Sequence, residues 1–202
     1  MDRDQPRPVE PRPLKGGAAT SRHVSCVWVV CALVTVGAAV GAAAEDRAAV
    51  ERGRYLVELI GCGHCHTPMK MGPQGPQHDE ARMFSGHPSG AELPPPPALP
   101  PGPWNAITGG MTAWAGPWGI SYGANLTSDK ETGLGAWTEE MFVAALKTGK
   151  HLGMGRDFLP PMPVYLTASV EDLKAMFAYF MTVPPIANEV PEPVPPVAAP
   201  GK

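Results

Sequence analysis

The feature that most constrains this chain is Cys62-Gly63-His64-Cys65-His66. Two thiols separated by two residues and followed at once by a histidine form the C-x-x-C-H pattern of covalent haem attachment. In that chemistry the thiols add across the porphyrin vinyl groups and the histidine ligates the iron. On a helix, Cys62 and Cys65 lie one turn apart, so both sulfurs meet one edge of the macrocycle and His66 can turn its imidazole under the metal. C-x-x-C alone also serves half a zinc site or a redox dithiol. Both fit less well, because no second Cys pair completes a zinc site and no βαβ pattern surrounds the motif. The expectation is one haem c, held covalently by Cys62 and Cys65, with His66 as proximal iron ligand.

The remaining two of the four cysteines, Cys26 and Cys31, sit in an apolar N-terminal run, so no structural disulfide is expected. Residues 1–23 are polar and rich in Pro and Arg, and the stretch Val24 to Ala44 carries no charge. That is a targeting segment long enough to span a bilayer. Its end, Gly41-Ala42-Ala43-Ala44 before Glu45, places small residues where a signal peptidase cleaves. Cleavage after Ala44 is expected, with an uncleaved membrane anchor over 24–44 as the alternative. Either way the rest of the chain is expected in the periplasm, soluble or held at the inner membrane. That is also where CxxCH motifs receive haem in bacteria.

Beyond Ala44 the chain carries 11 Lys/Arg against 16 Asp/Glu, a net −5 compared with −3 for the whole sequence. This modest acidity argues against a nucleic-acid binder and suits a redox partner that presents a basic or mainly apolar patch. The length fits one domain, over residues 45–185.

Asp46 to Ile60 reads as an amphipathic helix with Val50, Tyr55, Leu56, Leu59 and Ile60 on its apolar side, and Gly53 suggests a close helix crossing. Residues 67–124 are rich in Pro and Gly and show no sustained period, so a long loop is expected there. Trp104, Trp114 and Trp118 would give that loop partial order by covering a haem or a neighbouring groove, while His78 and His87 read as solvated, with a second-metal or distal haem-ligand role as the alternative that their spacing does not select. Thr138 is a candidate N-cap for a short core helix that ends at Gly149. Ser169 or Thr167 caps a last helix from about Val170 to Met181, with Leu173, Met176, Phe177 and Phe180 as its stripe. Residues 186–202 form a Pro-rich tail, extended over the surface or without fixed structure.

A haem iron in an electron carrier needs a sixth ligand, and a Met thioether serves both oxidation states. Met162 in Leu159-Pro160-Pro161-Met162-Pro163 is the first candidate, since flanking prolines stiffen the backbone that would hold its sulfur toward the iron. Met154 and His151 stay open as alternatives. Arg156 has three readings: a partner for a haem propionate, for Asp157, or for water alone.

Taken together, CxxCH after a GRYL-type helix, NLTSDKETGLGAWTEEMFVAALKTG, LPPMP and the EDLKAMFAYF helix ending in PP resemble the class I c-type cytochromes. The nearest likeness is to the cytochrome c domains that accompany periplasmic dehydrogenases, often described as dihaem cytochromes. The resemblance covers residues 46–66 and 116–185. It implies an all-α fold with crossed N- and C-terminal helices around one haem, interrupted by the long Pro/Gly-rich loop. It also implies His66 proximal and Met162 distal. The chain departs from its look-alikes in carrying one CxxCH where they often carry two or three.

The implied function is one-electron transfer from a dehydrogenase to a cytochrome or oxidase acceptor, with no substrate bond made or broken. The alternatives are a haem sensor or peroxidase-like enzyme with a labile sixth ligand, or a cytochrome subunit that anchors a dehydrogenase to the membrane.

Overall fold

The helix leading into the motif buries a narrower stripe than its pattern suggests. In the computed structural model, which describes residues 45–97 and 104–196, α1 is helical over 45–60. Its buried positions are Gly53, Leu56 and Val57, whereas Tyr55 and Leu59 are exposed. The spacing i, i+3, i+4 is that of one helix face. Gly61, in the left-handed conformation at φ 79°, breaks α1 and starts the short helix α2, Cys62–His66, which holds the CxxCH motif. These residues all belong to one unit, Ala43–Lys202.

Two further helices build the apolar centre. In α3, Glu139–Thr148, Thr138 caps the start by accepting from the Met141 N–H, and Gly149 ends it at φ 70°. The helix α4, Val170–Phe180, is capped by Ser169, which accepts from the Asp172 N–H at 3.0 Å. Leu173, Met176 and Phe180 of α4 are buried against Phe142 and Leu146 of α3 and Leu56 and Val57 of α1. Phe180 meets Phe84 edge to face at 5.4 Å and Phe142 at 5.9 Å. At Gly53 the helices α1 and α4 pack closely: a Cβ there would lie 1.9 Å from the Ala175 carbonyl oxygen.

The all-α expectation is corrected by two small antiparallel sheets, which make the fold mixed α and β. Both lie in the stretch read as a long loop. Strands β1, Met69–Gly72, and β2, Gly75–His78, form a hairpin with Gly72 opposite Gly75. Strands β3, Ala106–Ile107, β4, Ala113–Gly116, and β5, Gly119–Tyr122, form a three-stranded sheet in that order. Pro117-Trp118 makes the two-residue turn between β4 and β5, with Gly119 at φ 97°. The tail is no loose end where it is described. Val194 and Ile120 exchange both backbone hydrogen bonds, at 2.8 and 3.0 Å, so the tail pairs with the outer edge of β5. The stretch read as a targeting segment, residues 24–44 with Cys26 and Cys31, lies outside the described residues, as does the tail beyond 196. Among the described residues no helix is long and apolar enough to cross a membrane.

Asn188 pins the tail from the inside. Its side chain is buried, and its Nδ2 donates to the Ser85 and His87 carbonyls at 2.7 and 2.8 Å. Its Oδ1 accepts from Arg82 and from the Ser89 N–H, both at 3.0 Å. Replacing it with alanine leaves several groups unpartnered at once and is expected to lower stability by about 2–3 kcal/mol. Gly53→Ala forces α1 and α4 apart and is expected to cost about 1–3 kcal/mol. Thermal unfolding checks both, with about 2–4 °C lost per kcal/mol in a domain of this size. An unchanged midpoint for either variant contradicts the packing described.

Candidate functional site

Of the side chains the sequence singles out, His66 is held by a specific backbone neighbour. It is 8% exposed, and its Nδ1 lies 2.8 Å from the Ala124 carbonyl oxygen. A carbonyl can only accept, so Nδ1 carries the proton and Nε2 keeps a free lone pair. Burial pushes the imidazole pKa below its ordinary value and keeps the ring neutral. Ala124 is placed by β5, whose chain continues through Gly123 directly over the motif. A Cβ on Gly123 would lie 2.1 Å from the Cys65 carbonyl oxygen. The Gly86 N–H donates to the His66 carbonyl at 2.8 Å from the other side.

Cys62, Cys65 and His66 line one cavity of about 960 Å³, at the upper end of the range for small-molecule and cofactor sites. Met162 lines the same cavity, together with Leu159, Pro161 and Pro163. Apolar walls come from Phe142, Leu146, Met176 and Phe180, so these core residues serve the cavity as well as the helix packing. His151 also reaches it, with its ring edge to face on Trp137 at 5.2 Å. Met154 does not line the cavity and is 87% exposed. Arg156 stands at the lining with its Nε 3.8 Å from Glu192 of the tail, while Asp157 pairs with Lys150 instead, at 2.5 Å.

The two thiols are free, and burial raises both: Cys62 to about 11, and Cys65 in the same direction. Redox dithiols and zinc sites need stabilised thiolates, the opposite condition. Among the described residues no cluster of three His, Cys, Asp or Glu side chains could hold a metal ion. A pair of thiols, a neutral imidazole with a free Nε2 and a thioether on one apolar cavity fit the donor set of a haem c.

Several placements differ from the sequence reading. His87 is not solvated: it is 2% exposed, with Nδ1 bonded to Thr112 Oγ1 at 3.0 Å and Nε2 without a partner. Its ring packs on Tyr122 at 4.9 Å. His78 is half-buried and stacks on His64 at 5.7 Å, outside the cavity. Of the three tryptophans, Trp114 lines the cavity, Trp118 packs over Gly116, and Trp104 is 69% exposed. Tyr165 was missed. It lines the cavity, and burial with the nearby Cys62 and Cys65 thiols pushes its phenol up to about 12. The tail contributes Glu189 through Pro193 to the lining, which nothing in its Pro-rich composition signalled.

No family model matches the chain. It is 30% identical over 165 residues to the gluconate 2-dehydrogenase cytochrome c subunit of Pantoea cypripedii, which covers 79% of this chain and 30% of that protein. It is 30% identical over 152 residues to the cytochrome c subunit of the quinone-type alcohol dehydrogenase of Gluconobacter oxydans, 73% of this chain and 24% of that one. The fructose dehydrogenase cytochrome subunit of Gluconobacter japonicus is 28% identical over 142 residues, 69% of this chain and 22% of its own length. Its homologues are cytochrome c subunits of dehydrogenases. The chain spans less than a third of the length of these relatives. Cytochrome c subunits imply haem c and an electron-transfer role, the same chemistry to which the cavity's donor set points.

His87 gives the fold a pH dependence of definite sign. The unfolded chain protonates it near the ordinary histidine pKa of about 6.5, whereas burial keeps it neutral to lower pH in the folded state. The unfolded state therefore binds more protons as pH falls. Stability is full above about pH 6.5 and is lost below it, by up to about 1.4 kcal/mol per pH unit. Urea unfolding between about pH 7 and pH 5 measures this. A midpoint that stays flat or rises toward pH 5 contradicts it.

Proposed function

We propose that this chain is a one-electron carrier with one haem c attached through Cys62 and Cys65. In this reading His66 is the proximal iron ligand and Met162 the distal one. The observation that carries it is the single cavity lined by both thiols, the neutral imidazole and the Met162 thioether. When bound, the group supplies a metal centre that changes oxidation state by one electron without making or breaking a substrate bond.

The chain's own residues do the rest. Ala124 fixes the His66 tautomer and ring orientation, the type of outer contact that raises a ligand's basicity. Phe142, Leu146, Met176 and Phe180 exclude water and keep the local dielectric low, which with a thioether ligand favours a higher reduction potential. His151 and Arg156 stand at the lining where a propionate would be received. In this reading the protein acts as a carrier and not as an enzyme.

The relatives' names support a dehydrogenase as partner, taken here as the electron donor; the proposed acceptor is a cytochrome or an oxidase. Contacts of that type are small and transient, under about 1,200 Å². The proposed layout is a targeting segment over residues 1–44, an electron-transfer domain over 45–185 and a Pro-rich tail. The proposed location is the periplasm, soluble after cleavage near Ala44 or anchored to the inner membrane through 24–44.

Spectroscopy of the exported protein tests the ligand set. The ferric wild type is expected to show a thioether-to-iron charge-transfer band that Met162→Ala abolishes, and the ferrous wild type is expected to leave carbon monoxide unbound. Rapid carbon monoxide uptake by the wild type contradicts the carrier reading and favours a sensor or enzyme with an open sixth position.

A further inference from the structure

The three-stranded sheet reaches across to the segment that carries Met162. Ser121 of β5 is buried and lines the cavity, with its Oγ 2.6 Å from the Pro160 carbonyl oxygen. Trp118 Nε1 lies 3.2 Å from the same Oγ. Chemistry fixes the direction of both bonds. An indole N–H only donates and a carbonyl only accepts, so the single Ser121 hydroxyl proton goes to Pro160 and the oxygen accepts from Trp118.

Pro160 stands two residues before Met162. On the other side, the Tyr165 N–H donates to the Leu146 carbonyl at 2.8 Å. The residues between, Pro161 to Val164, are therefore tied at one end to β5 and at the other to α3. Across the Pro160 anchor the Met162 N–H closes a turn on the Leu159 carbonyl at 3.1 Å. The anchor is itself held. Its strand is paired with β4 on one side and with Val194 on the other, and a Cβ on Gly116 would lie 2.5 Å from the Trp118 ring, so that indole fits only over a glycine.

We propose that Ser121, oriented by Trp118, is a positioning residue that holds the Met162 loop so that its thioether stays at the sixth position of the haem iron. The proposal rests on the assignment of Met162 as distal ligand. An external ligand that displaces a tethered thioether must also work against the tether. With the Ser121 hydroxyl gone, the loop swings away at lower cost and the external ligand binds more tightly.

The test uses the exported holoprotein as wild type, Ser121→Ala, Ser121→Thr and Trp118→Phe, with imidazole as the competing ligand for ferric iron. Imidazole affinity is expected to rise about tenfold in Ser121→Ala, the factor one ordinary hydrogen bond supports. The thioether charge-transfer band should weaken in parallel. Ser121→Thr, which keeps a hydroxyl, returns both readouts toward wild type, a rescue that a packing role alone would not produce. Trp118→Phe leaves the Pro160 bond but removes its orienting donor, and gives a smaller rise. If Ser121→Ala does not accumulate as holoprotein, Trp118→Phe decides: an unchanged affinity there overturns the proposal. A wild type with the band, a Met162→Ala variant without it and a Ser121→Ala variant indistinguishable from wild type overturn the positioning role alone. A wild type without the band overturns the Met162 assignment and this role with it.

Discussion

The structure turns on one hydrogen bond, from His66 Nδ1–H to the Ala124 carbonyl. A buried imidazole with both nitrogens free would rotate and exchange tautomers; with Nδ1 committed, Nε2 is left as the only basic atom the ring can offer a metal. The bond requires Ala124 to pass close to the motif helix. That passage in turn requires glycine at 123, where any side chain would strike the Cys65 carbonyl. Gly86, at φ 78° and pressed against the Gly123 carbonyl, completes the same close layer.

Helices and sheets divide the work. The helices α1, α3 and α4 supply the apolar bulk, packed at Gly53 and around Phe180. The three-stranded sheet fixes the polar details. It leads into Ala124 beneath His66, supplies the Ser121 hydroxyl to Pro160 and accepts the tail at Ile120. A cavity whose donors come from two distant stretches, 62–66 and 162, needs a third element to hold both, and β5 with the two residues after it reaches each side: Ser121 bonds Pro160, and Ala124 bonds His66.

The parts legible in the sequence were those whose chemistry is local. Cys62, Cys65 and His66 stand out by their spacing, and all three line one cavity, while Thr138, Ser169 and Gly149 act as helix caps because capping depends on a few adjacent residues. Met162 stood out by its prolines, and it does line the cavity. The sheets were hidden because strands of two to four residues are too short to show an alternating period, and their turns carry the same Gly and Pro that mark loops. The buried face of α1 was misjudged at Tyr55 and Leu59, since a helix with apolar residues on two sides does not declare which side meets its partner. Asn188, His87 and Ser121 act through contacts to residues far away in the chain or to backbone atoms, and no residue type advertises those.

The most direct measurement is the intact mass of the exported protein after denaturation, read together with its visible absorption. The account predicts the polypeptide mass plus that of one haem, retained after unfolding, and loss of that covalent increment when both Cys62 and Cys65 are replaced by serine. A mass equal to the bare polypeptide, with no visible absorption, contradicts it.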